Sequence, residues 1–169
     1  IRVPQLEIVR KCRMNSQTRV DPWWAVLTVW GIVNMVNLKQ SAGFLSRVIT
    51  GNRSINHLLG YGIVTLALPA ALTIVAFIKE KSGWRQWIGP AAFLVFVIFM
   101  IFVEYIWKAE FRSPMRYDIL IPYLVLFFGS IFFLGISMFR INLRLWLVTV
   151  ATTVILLGSM IYAIYKGVG

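Results

Sequence analysis

Five long apolar runs, each bounded by charged or turn-forming residues, constrain the fold of this sequence more than any other feature. An α-helix needs about 20 mainly apolar residues to cross the hydrocarbon core of a bilayer. Only 14% of the 169 residues are charged, whereas about a quarter are charged in a typical soluble domain. The sequence therefore predicts an all-α, polytopic membrane protein, a bundle of about five transmembrane helices. The predicted spans are residues 22–40, 58–78, 87–107, 119–139 and 144–165.

The first 21 residues differ from the rest of the chain because they are mixed in polarity and basic. Leu6, Ile8 and Val9 favour a short helix that lies on the membrane surface. The segment lacks the succession of basic, apolar and small residues that is typical of a removable signal peptide. We interpret residues 1–21 as a basic interfacial segment and residues 22–169 as a single transmembrane bundle.

The basic residues indicate how the bundle meets the membrane. The net charge is +11, but the lysines and arginines stand singly at the ends of apolar runs. This placement is typical of contact with anionic lipid headgroups and argues against nucleic-acid binding. Five spans place ten lysines and arginines on the N-terminal side and seven on the other, which predicts a cytoplasmic N-terminus. We expect membrane lipids as partners and a bound lipid as ligand.

Several kinds of site are excluded by what the sequence lacks. Cys12 is the only cysteine and His57 the only histidine. No disulfide can form within the chain, and neither a cysteine-based nor a histidine-rich metal site can be built from it. A Gly-Lys-Ser/Thr phosphate loop, a His-Glu-x-x-His motif and a Gly-x-Ser-x-Gly motif are also missing. We therefore predict no metal and no cofactor.

The charged stretch 104–118 separates two uncharged runs and contains the first candidates for a functional site. Glu104 falls in the last turn of the third predicted span, where a carboxylate is costly unless it is paired or hydrated. Lys108 is four residues further on, a spacing that favours an ion pair along one helix face. Asp118 is predicted to act as the N-cap of the fourth span. Interfacial salt bridges and a cap are the simplest interpretation of this stretch.

The alternative interpretation is a polar site at the membrane edge. In it, Glu104 acts as an acid or ion-binding group, and Lys108 and Arg112 contact the substrate or ion. His57 is predicted to lie on the same side of the membrane, so it could meet the stretch. The candidate catalytic residues are Glu104, Glu110, Asp118 and His57.

Polar side chains within the first span predict a contact with another helix. Asn34, Asn37 and Ser41 lie along one side of a helix, and an asparagine in hydrocarbon needs a hydrogen-bonding partner. Interhelical hydrogen bonding is favoured over a role for Asn34 and Asn37 in binding a substrate or ion. The fifth span carries a matching seam of small and polar residues for helix packing: Thr149, Thr152, Ser159 and Ala163.

Two residues predict local breaks in the helices. Pro69 is expected to kink the second span, because proline lacks an amide hydrogen and displaces the carbonyl four residues earlier. Asn142 is expected to cap the fifth span after a tight reversal of the chain.

Three classes of function are compatible with this sequence. The favoured one is a small transport module, or a non-catalytic subunit of a membrane complex, associating with other subunits or with itself. An alternative is an intramembrane enzyme that acts on a lipid-like substrate by acid–base chemistry at Glu104, Glu110 and Asp118 with His57. A third is an immunity or regulatory protein that binds another membrane protein. The lack of a catalytic motif favours a non-enzymatic role.

Overall fold

The computed structural model describes residues 22–51, 54–108 and 116–167, with the backbone alone for residues 54–57 and 140. These residues contain no strand, and the predicted all-α membrane bundle is confirmed. The helices are α1 (Trp23–Thr50), α2 (Ser54–Val64), α3 (Ala67–Lys79), α4 (Trp84–Met100), α5 (Tyr117–Ile141) and α6 (Leu143–Tyr165). A π-helical turn, Ile101–Ile106, continues α4.

Four helical segments are long and apolar enough to cross a membrane: Leu58–Lys79, Trp84–Ile106, Tyr117–Phe139 and Leu143–Tyr165. The first of them runs through α2 and α3. Helix α1 is longer, with 28 residues, but amide and ammonium side chains in its second half make it less apolar. Its crossing of the membrane therefore remains a prediction from the sequence.

Helix α1 lies at the centre of the bundle and packs against α2, α3, α5 and α6. Its apolar face, which includes Val29 and Val33, is fully buried, whereas large apolar side chains on the other helices, such as Leu68 and Val125, are exposed. In lipid this arrangement is favourable, because hydrocarbon solvates the exposed apolar surface and polar groups find partners inside the bundle. The least apolar helix thus packs against four of the other five.

Helices α4 and α5 approach each other closely over aromatic side chains. The ring of Phe96 lies 5.2 Å from that of Phe127 and 5.5 Å from that of Tyr123. At Gly89 the two backbones are so close that a Cβ atom would lie 2.9 Å from the carbonyl oxygen of Phe133 and 3.0 Å from the Cα of Leu134. Only glycine fits at this crossing without moving a helix.

The two predicted breaks are present in the structure. The helix is interrupted at Thr65 and Leu66, between α2 and α3, and Thr65 holds the carbonyl four residues before Pro69, which has no amide hydrogen to offer it. Asn142 caps α6, because its Oδ1 accepts hydrogen bonds from the backbone amides of Arg144 at 2.9 Å and Leu145 at 3.4 Å.

The predicted cap at Asp118 is wrong. Helix α5 begins at Tyr117, one residue earlier than Asp118, and Arg116 is the residue that flanks it. Asp118 therefore lies in the first turn, where its carboxylate accepts a hydrogen bond from Arg116 at 3.0 Å. A negative charge in the first turn still interacts favourably with the helix dipole.

Candidate functional site

Glu104 lies in the π-helical turn at the end of α4. The turn is wider than an α-helical one, as shown by the amide of Trp107, which donates to the carbonyl of Phe102 five residues earlier at 2.9 Å. The Glu104 side chain is half-buried, between the buried Val103 and the half-buried Tyr105. Single π-helical turns occur frequently at functional sites in helices. The turn directs this carboxylate toward the neighbouring helices.

Tyr123 of α5 is a hydrogen-bonding partner of this carboxylate. Its hydroxyl donates to Oε1 of Glu104 at 3.0 Å. The Tyr123 side chain is only 6% exposed, and its ring packs against Phe96 at 5.5 Å and Phe99 at 6.5 Å. Because the ring is held on both sides, the hydroxyl occupies a fixed position relative to Glu104.

A small polar cavity adjoins this pair. Its volume is about 20 Å³, which is enough for one water molecule. Glu104, Tyr123 and Gln40 of α1 are the residues with polar side chains that line it. The residues that line the cavity are Gln40, Gly43, Leu59, Gly60, Met100, Glu104 and Tyr123. Four helices therefore meet at this point.

Gly60 allows the π-helical turn to lie directly against α2. A Cβ atom at this position would lie 2.6 Å from the hydroxyl oxygen of Tyr105 and 3.9 Å from Oε2 of Glu104. The rings of Tyr61 and Tyr105 also pack against each other at a tilt of 44°, with centroids 4.9 Å apart. A larger residue at position 60 would displace the Tyr105 hydroxyl, and Gly60 itself lines the cavity.

The other charged candidates lie away from the cavity or outside the described residues. Lys108 follows the end of the helix with a left-handed backbone, φ 47°, and its exposed side chain does not line the cavity. Asp118 pairs with Arg116 where both side chains are more than half exposed, 62% and 53%. Glu110, Arg112 and the side chain of His57 lie outside the described residues. Their proposed roles remain predictions.

The predicted hydrogen bonding of Asn34 and Asn37 to another helix is confirmed. Oδ1 of Asn34 accepts from the hydroxyl of Thr152 at 2.8 Å, and its Nδ2 donates to Oγ1 of Thr149 at 3.3 Å. Nδ2 of Asn37 donates to the hydroxyls of Thr152 at 3.1 Å and Thr153 at 3.0 Å. These bonds join α1 to α6 inside the bundle. A role of Asn34 and Asn37 in binding a substrate or ion remains a prediction.

Sequence reasoning missed Gln40 and Tyr123 as parts of the site. Gln40 continues the three-residue spacing of Asn34 and Asn37, which is a signal that could have included it. Tyr123 gives no such signal, because its contact with Glu104 depends on how α5 is rotated about its axis. No cluster of histidine, cysteine, aspartate or glutamate side chains suited to a metal ion occurs within residues 22–51, 54–108 and 116–167.

Comparison of the chain with protein-family models, curated proteins and solved structures found no match.

Proposed function

We propose that this chain is a small membrane transport module in which Glu104 binds the transported proton or small cation. The observation that carries the proposal is a carboxylate within an apolar helical segment, Trp84–Ile106, that adjoins a water-sized polar cavity. Ionisable residues at such positions are costly, face a bundle interior or a hydrated cavity, and mark ion and proton pathways.

The size of the cavity favours transport over lipid-directed catalysis. Pockets for small organic molecules typically have volumes of about 300–1,000 Å³, whereas this cavity has about 20 Å³. Acid–base chemistry on a lipid would also need a second carboxylate facing the same space; Asp118 is exposed beside Arg116, and Glu110 lies outside the described residues. In a purely structural subunit the carboxylate would serve only to join α4 to α5 through its hydrogen bond with Tyr123.

In this proposal the bundle is integral to a cellular membrane, with its N-terminus in the cytoplasm. Membrane lipids contact the exposed apolar surfaces, and copies of the chain or other subunits associate with it. Lys108, exposed just beyond the π-helical turn, lies on the entry side of the site.

The proposal is tested by reconstituting the purified protein into liposomes and measuring ion flux with fluorescent reporters for protons, Na⁺ and K⁺. We expect flux above that of empty liposomes. Glu104→Gln keeps the shape of the side chain but removes its charge, and we expect it to abolish the flux. Glu80→Gln is the matched control, because Glu80 is exposed in the turn after α3, and it should leave the flux unchanged.

Thermal unfolding in detergent shows whether each variant is folded. If the wild-type protein gives no flux, or if Glu104→Gln conducts as well as the wild type, the proposal is wrong. A loss of stability in Glu104→Gln without a loss of flux would indicate that the carboxylate only supports the packing of α4 against α5.

A further inference from the structure

We propose that Lys39 of α1 is a docking point for a transmembrane helix of another protein, which pairs with it through a carboxylate in the middle of the membrane. We call the surface around it the lysine patch and define it by Met35 and Lys39 of α1, Gly62 of α2, and Thr65, which follows α2. This inference does not depend on the role proposed for Glu104.

The hydrogen bonds between α1 and α6 give the depth of Lys39. Three of these bonds join residues that are 115 positions apart along the chain, such as Asn37 and Thr152, so the two helices run side by side in the same direction. The same offset places Lys39 level with Val154, the middle residue of α6. Because α6 is long and apolar enough to cross a membrane, Lys39 lies near the centre of the hydrocarbon.

The ammonium group of Lys39 lies against α2. A Cβ atom at position 62 would overlap its Nζ and lie 3.3 Å from its Cε, so the lysine fills space that only a glycine leaves open. Lys39 is half-buried, whereas Met35 one turn earlier on α1 and the neighbours of Gly62, Tyr61 and Thr65, are exposed. The lysine patch therefore faces lipid or another protein.

Lys39 has no counter-charge in the part of the chain that the structure describes. It forms neither a hydrogen bond nor an ion pair there. The four apolar segments contain two carboxylates, Glu104 and Asp118, and each lies within three residues of a segment end. Glu104 accepts a hydrogen bond from Tyr123, and Asp118 pairs with Arg116. Neither carboxylate lies at the level of the lysine.

The depth of Lys39 favours a protein carboxylate over a lipid headgroup as its partner. Charged side chains inside a membrane are costly and usually pair with one another. Lipid phosphates lie about 15 Å from the middle of a hydrocarbon core that is about 30 Å thick, and the Lys39 side chain is turned against Gly62 instead of toward them. An aspartate or glutamate near the middle of another span meets the ammonium at its own depth, where the low dielectric constant strengthens the attraction.

The test uses synthetic transmembrane peptides made of leucine and alanine, with a single glutamate or a single glutamine at the middle and a dansyl group at one end. The full chain is reconstituted into phosphatidylcholine vesicles in mildly alkaline buffer, and binding is measured as energy transfer from its tryptophans to the dansyl group. We expect the glutamate peptide to bind about tenfold more tightly than the glutamine peptide.

Substitutions at the lysine locate the effect. Lys39→Met keeps the length of the side chain and removes its charge, so it should bind the two peptides equally. Lys39→Glu should instead prefer a peptide with a central lysine, because the pair is then reversed. Lys79→Met is the matched control, since Lys79 is exposed in the last turn of α3, and it should retain the preference of the wild type.

Several results would overturn the proposal. Equal binding of the two peptides to the wild type, or a preference that persists in Lys39→Met, would show that Lys39 is not the docking point. If adding phosphatidylglycerol to the vesicles removes the preference, a lipid headgroup occupies the patch instead. Should Lys39→Glu not fold in a thermal unfolding assay, Lys39→Met decides alone. Glu104→Gln should keep the preference whether or not it carries ions, so the result is independent of the proposed function.

Discussion

The close crossing of α4 and α5 at Gly89 gives a stability prediction whose sign is set by two interatomic distances. We expect Gly89→Ala to destabilise the protein relative to the matched substitution Gly129→Ala on α5. A Cβ at position 89 would lie 2.9 Å from the carbonyl oxygen of Phe133 and 3.0 Å from the backbone nitrogen of Leu134, whereas a Cβ at position 129 would meet nothing within 4 Å.

The magnitude follows from two opposing terms. Alanine is more stable than glycine inside a helix by roughly 0.5–1 kcal/mol, and this gain applies at both positions. Overpacking a well-packed interior costs about 1–3 kcal/mol, and this cost applies only at Gly89, because backbone atoms cannot turn aside as a side chain can. Gly89→Ala should therefore be about 1–3 kcal/mol less stable than Gly129→Ala, a difference of about 5- to 150-fold in the folding equilibrium.

The free energy of unfolding is measured by titrating the protein in mixed micelles with sodium dodecyl sulfate and following tryptophan fluorescence. Pro90 requires a control, because a Cβ on the residue before a proline also disfavours the helical backbone. Measuring Gly89→Ala in a Pro90→Ala background removes that contribution and leaves the contact with α5. If Gly89→Ala in this background is as stable as Gly129→Ala, the two helices do not cross at backbone distance and the packing described for α4 and α5 is wrong.

The remaining two predictions concern α6. Asn142→Ala should lower the free energy of unfolding by about 1 kcal/mol, because it removes the cap on the amides of Arg144 and Leu145. Asn142→Asp should retain most of that stability, because a carboxylate can accept the same hydrogen bonds. Equal losses of stability in both variants would rule the cap out. A double-mutant cycle of Asn34→Leu and Thr152→Val should give a coupling of about 0.6 to 1.7 kcal/mol for their 2.8 Å hydrogen bond, and strictly additive losses would contradict it.

The helices were predictable because lipid imposes a simple rule on the sequence. Long apolar runs must be helical in hydrocarbon. The residues that end or begin a helix, such as Asn142, bond to backbone amides only two or three residues away, so they can be recognised from the sequence. The residues after Gln40 remain helical, so α1 extends to Thr50, ten residues beyond the predicted span. Helix α2 packs against one side of α1. Apolarity alone gives no sign of such an extension.

The site was predictable only in part. Glu104 stood out because a carboxylate in an apolar run is costly, but the expected partner was Lys108, four residues on. The π-helical turn and the left-handed backbone of Lys108 change the geometry on which that spacing argument depends. Tyr123 could not be found, since its contact with Glu104 is made between helices and depends on their relative rotation and depth.

The pairing of α1 with α6 has a consequence for biosynthesis. Asn34 and Thr152 are separated by 118 residues in the chain, so at a synthesis rate of about 5–20 residues per second the asparagine is made roughly 6 to 24 seconds before its partner. Throughout that interval the side-chain amides of α1 lack the α6 hydroxyls with which they form hydrogen bonds in the folded bundle. Helix α6 is therefore the element whose synthesis completes the hydrogen bonding of α1 inside the bundle.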